Sequence, residues 1–333
     1  MSSWYRSLAA LCGASVLMLG SAAAEDKVSV AAISGYFAQG FGISIVNGLN
    51  RARDELGVEV KLIDTGNRAL DYEEQFNNAA KDNQYDLIFV MGWELADALQ
   101  KAAAAYPDQR FVFIDGVLDS DKIIYANFSE EEGSYLAGTL AGLMAEAGSA
   151  IPKMGDGKAI GFVGGRDIPV IRNFLKGYEA GANTAAPDVR VDAVFAGTFD
   201  DPAKGSELAF ALYEQGADVV FNVAGPTGEG VMQASGAADK YSIGVDIDMC
   251  ATAPGSVVAS MLKRGDIAVY TLIKEEVEGA PVQPGVRTFD LKSGGVELKM
   301  CDDVAANIPD DIKAKVEEAR AAVVDGTVTI GEN

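Results

Sequence analysis

The chain has 333 residues, of which 49% are hydrophobic and 23% charged; this composition argues against disorder, and the length asks for two lobes, because single cores stop growing at about 250 to 300 residues. Lysine and arginine number 27 against 49 aspartates and glutamates, a formal charge of -22, and a surface this acidic repels the phosphate backbone that supplies most nucleic-acid affinity. Histidine is absent, which removes Ser-His-Asp and Cys-His nucleophiles and the commonest zinc ligand, while carboxylate-only and magnesium-dependent mechanisms survive.

The N-terminus reads as a secretory signal peptide, residues 1–24. Arg6 precedes an apolar run over 8–19, and Ser21-Ala22-Ala23-Ala24 offers small residues for cleavage before Glu25 and Asp26. The run is too short to span a bilayer well. Cys12 lies inside it and follows Leu11, where a lipid-attachment signal wants a small residue, so the expectation is a soluble periplasmic protein and not a lipoprotein.

The strand candidates in chain order are 28–33, 58–63, 87–91, 111–114 and 123–128, with helical patterns between them such as Ile45, Leu49, Ala52 and Leu56. Ser129-Glu130-Glu131-Glu132 then has capping-box spacing and opens a helix through Tyr135, Leu136, Leu140 and Leu143, with Gly138 and Gly142 permitting close packing. The strand-helix rhythm restarts at 159–163 and continues through 191–195, 219–223 and 243–245, with Asp201-Pro202 starting a helix that carries Leu208 and Leu212. After Asp246 it breaks again, into a strand at 257–262, a helix from about Asp266 and strands at 288–291 and 296–299. A last amphipathic helix carries Ile312, Val316, Ala319 and Val323 on one stripe.

Continuous apolar strands alternating with helices mean parallel sheets covered on both faces. The fold class is therefore α/β, with two doubly wound parallel-sheet lobes joined by several crossover segments. The two breaks place the crossings, which assigns residues 25–128 plus about 249–284 to an N-terminal lobe and residues 129–248 plus about 285–333 to a C-terminal lobe.

Ligands of open α/β sheets bind outside the carboxyl ends of the strands. The segments there are 34–42, 92–94, 115–117, 164–167, 224–228 and 246–250, all rich in glycine, carboxylate or aromatic residues. The glycines of 161–165 and of Gly225-Pro226-Thr227-Gly228 do not fit dinucleotide or P-loop spacing; they let the backbone approach a ligand, or merely permit tight turns. Export leaves Cys250 and Cys301 in an oxidising space, where a disulfide and two separate buried thiols are both open readings.

The stretches Tyr85-Asp86-Leu87-Ile88, Trp93-Glu94-Leu95-Ala96-Asp97-Ala98-Leu99, Phe113-Ile114-Asp115-Gly116, Glu132-Gly133-Ser134-Tyr135-Leu136-Ala137-Gly138, Gly161-Phe162-Val163-Gly164-Gly165, Gly216-Ala217-Asp218-Val219-Val220 and Ile243-Gly244-Val245-Asp246 resemble the basic membrane protein family. That family comprises substrate-binding components of ABC importers, best known as purine-nucleoside receptors, with the type I periplasmic binding protein fold. The resemblance runs over about residues 28–300, and its motifs are specific in combination.

The resemblance implies a purine held between two aromatic rings, with Phe41 and Phe174 in comparable places, and ribose hydroxyls held by Asp246 and Lys263. Asp115 is a further polar candidate. Family members typically carry Asp-x-Ser-Phe-Asn in the first loop, whereas this chain has Ala38-Gln39-Gly40-Phe41-Gly42. The aromatic survives, Gln39 stands in the loop, and the acid and amide that would address the base are gone. Met249 likewise follows Asp248 where a glutamine is common.

The ligand-binding candidates are thus Gln39, Phe41, Trp93, Asp115, Phe174, Gly225, Asp246 and Lys263. Each has a plainer reading. Phe41 and Phe174 fit as core aromatics, Asp115 and Asp246 as helix caps, Lys263 as a surface charge beside Arg264, and Trp93 as inter-lobe packing. The expected function is binding without chemistry: a monomer closes on a small ligand and delivers it to a membrane permease, with no cofactor, no metal and no nucleic-acid partner. The alternatives are a receptor of the same fold for a flavin, free base or sugar, a carboxylate-dependent nucleoside hydrolase, and a sensor domain.

Overall fold

The computed structural model describes Met1 and residues 27–330. The expected signal peptide, Cys12 included, otherwise lies outside the described residues.

The first lobe begins with β1 (Ser29–Ser34), α1 (Gly40–Leu56), β2 (Glu59–Asp64), α2 (Tyr72–Ala80), β3 (Leu87–Met91), α3 (Ala96–Ala105), β4 (Phe111–Ile114) and β5 (Ile124–Phe128). The second lobe follows with α4 (Glu130–Ala147), β6 (Ala159–Gly164), α5 (Pro169–Ala185), β7 (Arg190–Phe195), α6 (Pro202–Glu214), β8 (Ala217–Val223), α7 (Pro226–Ala237), β9 (Tyr241–Asp246) and β10 (Val257–Lys263). The chain returns with α8 (Gly265–Val277) and β11 (Gly285–Phe289), then closes with β12 (Val296–Met300), α9 (Asp302–Ala305) and α10 (Asp310–Val324).

The sheets are ordered β2-β1-β3-β4-β5-β11 and β7-β6-β8-β9-β10-β12. All neighbours are parallel except β10 and β12, which are antiparallel. Both faces of each sheet are covered, as purely apolar parallel strands require. Along β1, Val30 and Ala32 pack with Ile45 and Leu49 of α1 and Leu272 of α8, while Ala31 and Ile33 pack with Phe76 of α2 and Leu99 of α3. In the second lobe Ile160 and Phe162 face Leu136 and Tyr178 of α4 and α5, and Val163 faces Leu212 and Val231 of α6 and α7.

Two expectations about the crossings need correction. Strand 257–262, assigned by sequence to the first lobe, is β10, which pairs with β9 in the second sheet through Met261 opposite Val245 and Leu262 opposite Asp246. Segment 285–289, assigned to the second lobe, is β11, the parallel partner of β5 in the first sheet. Periodicity identifies a strand but not its partner, and both segments lie where the rhythm offers no neighbour to copy. The chain therefore passes between lobes at 128–130, 263–265 and 289–296.

The capping box at Ser129 also forms differently. The Glu132 carboxylate accepts the backbone N–H of Leu291 at 2.9 Å, so it ties the first passage to the third, and the Ser129 side chain makes no cap bond. Among the described residues no helix is long and apolar enough to cross a membrane.

Candidate functional site

The three passages are bonded to one another. Ser129 N–H donates to Phe289 O at 3.1 Å, and Arg264 N–H donates to Gly295 O at 2.8 Å. The Arg264 guanidinium clasps Asp266 at 2.8 Å through two nitrogens, and Asp266 also receives the Ser44 hydroxyl of α1 at 3.2 Å. Gly265 must be small here, since a Cβ would lie 2.5 Å from Ile45 and 2.9 Å from Phe41.

Lys263, the last residue of β10, sits at the centre of this hinge and is only 3% exposed. Its Nζ lies 2.6 Å from Asp115 Oδ1 and 3.5 Å from Glu130 Oε1. Three rings surround the same ammonium, with centroids 4.6 Å away for Phe41, 5.4 Å for Phe128 and 5.5 Å for Phe174. Phe41 meets Phe128 edge-on at 5.5 Å, and Phe174, at 2% exposure, backs onto Phe221 at 6.5 Å. Cation and rings attract through the ring quadrupole, most strongly where water is excluded.

The charges perturb one another. Burial works against the Lys263 ammonium, but Asp115, Glu130 and Asp246 outweigh it and hold the group above the usual lysine range. Burial pushes Glu130 up to about 8, against the pull of Lys263 and with the help of Asp115. Burial likewise lifts Asp246 to about 6, with Lys263 opposing and Asp115 adding. Desolvation is the leading cause in all three, as expected of charges removed from water.

A cavity of about 140 Å³ opens beside this cluster between the lobes, lined by Gln39 and Ile43 from the first lobe and Asn222, Gly225, Glu229 and Asp246 from the second. A more open groove of about 270 Å³ lies on the second lobe beside Cys250, Lys299 and Asp303. That groove is lined by no member of the cluster, whereas the inter-lobe cavity is lined by Asp246, so the cavity is the better candidate.

The structure thus brings Phe41, Asp115, Phe174, Asp246 and Lys263 to one place and sets Gln39 and Gly225 in the adjoining wall. Trp93 stands apart, 52% exposed, with its ring edge-on to Phe113 at 5.6 Å and lying over Gly116. Cys250 and Cys301 form a disulfide with Cα atoms 5.4 Å apart. It ties the loop after β9, whose Met249 lines the cavity beside Asp246, to the start of α9.

Two members of the cluster went unnoticed in the sequence. By sequence Phe128 is only a strand end, and Glu130 only part of a helix cap. The available signal was position: both flank the first lobe crossing. The cluster offers rings, three carboxyls and one ammonium, which is an equipment for binding. Among the described residues no group of three metal-ligating side chains could hold a metal ion.

A family model described as Bmp, ABC transporter substrate-binding protein PnrA-like, matches residues 26–333. The ABC transporter nucleoside-binding protein BmpA of Lactococcus lactis subsp. cremoris is 34% identical over 282 residues, covering 79% of this chain and 76% of that protein. An uncharacterised lipoprotein of Pyrococcus furiosus is 33% identical over 296 residues, covering 84% of this chain and 72% of that one. Among solved structures, an ABC transporter solute-binding protein from Aeropyrum pernix K1 superposes with a TM-score of 0.77 at 27% identity, covering 92% of this chain and 94% of that one.

Proposed function

The chain belongs to the Bmp family of PnrA-like ABC transporter substrate-binding proteins, and from that premise we propose that its inter-lobe cleft captures a purine nucleoside for import. As a family member it is a binding protein and not an enzyme, serving a small-molecule ligand and a membrane permease. The observation that carries the ligand assignment is the approach of Phe41 and Phe174, from opposite lobes, to the one ammonium of Lys263. One ring from each lobe beside a common point suits a flat base, and Asp246, Asp115 and Lys263 suit the ribose hydroxyls. The relative named as a nucleoside-binding protein supports the same choice.

Binding follows from closure. The rings take the base, the hinge charges take the sugar, and the lobes rotate about the three passages. The permease then distinguishes loaded from empty protein by the relative position of the two lobes. The protein acts as an exported monomer, freed of residues 1–24 and without a lipid anchor. Intact mass of the exported form tests this, because a lipid on a cysteine adds its own weight and a cut after Ala24 leaves Glu25 first.

A second ligand class is favoured by one observation. Ala38, in the cavity wall, and Gly42 stand where the family's Asp-x-Ser-Phe-Asn pattern has its acid and its amide. A flavin, free base or sugar therefore enters the test. The protein, stripped of carried-over ligand by unfolding and refolding, is melted against nucleosides, bases, flavins and ribose. A ligand at 100 times its Kd stabilises the fold by about 2.7 kcal/mol. A rise with adenosine, guanosine or inosine but not ribose supports the nucleoside; a rise only with sugars or flavins replaces it and keeps the transport role.

A further inference from the structure

Glu130 is the first residue of α4 and directly follows the first lobe passage. Lys263 is the last residue of β10 and directly precedes the second. Adjacent crossings therefore contribute an acid and a base to one buried contact at 3.5 Å, and each residue is only 3% exposed. Asp115 reaches the same ammonium from the first lobe at 2.6 Å, and its carboxyl lies near enough to raise that of Glu130.

Three carboxyls surround one ammonium. With every carboxyl ionised the group would carry two uncompensated negative charges away from water, an arrangement that costs several kcal/mol per ion. A carboxyl that keeps its proton is a donor as well as an acceptor, whereas a carboxylate only accepts. Two carboxyls in contact share one proton more readily than they both ionise.

We propose that Glu130 is a positioning residue for ligand capture: as a neutral carboxyl it donates a hydrogen bond to Asp115, braces the hinge, and leaves the Lys263 ammonium, paired with Asp115, without a second full anion to hold it back from the ligand's hydroxyls. The inference rests on the assignment of Lys263 and Asp115 to those hydroxyls. Its neutrality agrees with the upward push that burial and Asp115 give the group.

The charged groups that face Glu130 are Asp115 after β4, Lys263 at the end of β10 and, across Lys263, Asp246 at the end of β9. Other nearby charges are engaged elsewhere. Glu132 accepts from Leu291 N–H, and Arg264 pairs with Asp266 and Glu297. Helices α1 and α5 approach the Lys263 ammonium with the uncharged rings of Phe41 and Phe174. At neutral pH Glu130 thus neither competes for the ammonium as a second anion nor leaves a gap at the hinge.

The test compares wild type with Glu130→Gln and Glu130→Ala by calorimetric titration, from about pH 6 to about pH 9, using the purine nucleoside that raises the wild-type melting temperature most. Glutamine keeps a donor and cannot ionise. Wild type weakens about tenfold as pH rises past the point where Glu130 ionises, while Glu130→Gln binds like wild type at neutral pH and stays level above it. Glu130→Ala is weaker by about tenfold throughout. A Glu130→Gln variant that declines as steeply as wild type, or a Glu130→Ala variant that binds as tightly, overturns the proposal. Ionisation of the nucleoside itself affects all three proteins alike.

A second arm needs no ligand. The folded pKa of Glu130 exceeds its unfolded value of 4.5, so the group's stabilising contribution is present below that value and is lost as pH rises toward about 8. The melting temperature of wild type relative to Glu130→Gln therefore falls over that window. Parallel melting curves would refute the neutral carboxyl even where the nucleosides fail to bind, so the two readings fail separately. Where Glu130→Ala does not fold, the comparison of wild type with Glu130→Gln decides.

Discussion

Asp115 and Asp246 are counterparts: each stands at the carboxyl end of the fourth strand of its sheet, and each has a left-handed backbone, with φ of 67° and 68°. That conformation is unfavourable for residues with a Cβ, and least so for aspartate and asparagine. The two lobes thus use the same device to turn a carboxylate out of a sheet edge into the cleft. Lys263 lies between them, bonded to the first and electrostatically coupled to the second.

Asp246 should impose a pH dependence on stability. Its folded pKa of about 6 lies above the unfolded 3.8, so its contribution to stability is full below the unfolded value and is lost as pH rises through 6. Wild type is expected to lose up to about 2 kcal/mol between acid and neutral pH at this residue, allowing for screening by cleft water. Urea denaturation of Asp246→Asn should show a shallower slope over the same window. An unchanged slope would mean that Asp246 is not desolvated.

Replacing Lys263 by methionine keeps most of the packing and removes the cation. Asp115, Glu130 and Asp246 then lack their counter-ion, and the fold should weaken by about 3 kcal/mol at mildly alkaline pH. The loss should shrink under acid conditions, where the carboxyls take up protons. Denaturation at two pH values measures the difference, and an equal loss at both would assign the effect to packing alone.

The disulfide closes a loop with a sequence separation of 51. Reduction, or Cys250→Ser with Cys301→Ser, should cost about 4 kcal/mol by the loop-entropy relation. It should also weaken ligand binding, because the released loop carries Met249 and begins directly after Asp246, both at the cavity. Melting curves with and without reductant, and calorimetry on the double variant, read the two effects; a full count of two reactive thiols in the native protein would remove the premise.

Helices α4 and α5 pack at glycine distance. A Cβ on Gly138 would lie 2.0 Å from Tyr178 O and one on Gly181 2.0 Å from Tyr135 O, whereas on Gly142 the nearest atom is Ala182 Cα at 3.1 Å. Gly138→Ala and Gly181→Ala should each destabilise by about 3 kcal/mol or more, and Gly142→Ala by about 1 kcal/mol or less. Urea midpoints of the three variants should separate in that order; a Gly142 variant as damaged as the others would show that the helices cannot adjust at all.

The strands were legible because burial on both faces leaves continuous apolar runs, as in Leu87–Met91 and Phe111–Ile114, whose bounds the structure reproduces. The close helix pair was legible from Gly138. The crossings were not, because β10 is apolar enough to fit either sheet, while β11, with Gly285 to Thr288 exposed, carries no core pattern at all. In the site, Phe41, Phe174, Asp246 and Lys263 were reachable through family resemblance. Glu130 was not, since a glutamate opening a helix is ordinarily a solvated cap; only the fold reveals that this one is buried against a lysine 133 positions away.

The late return of β11 to the first sheet has a bearing on synthesis. Until Phe289 has left the ribosome, β5 is an open edge with unpaired backbone groups, and β10 still awaits β12 on its other side. Each sheet thus receives its last strand only near the end of the chain. A chain cut short of that point would therefore present β5 to its surroundings as an unpaired sheet edge, open to pairing with another strand.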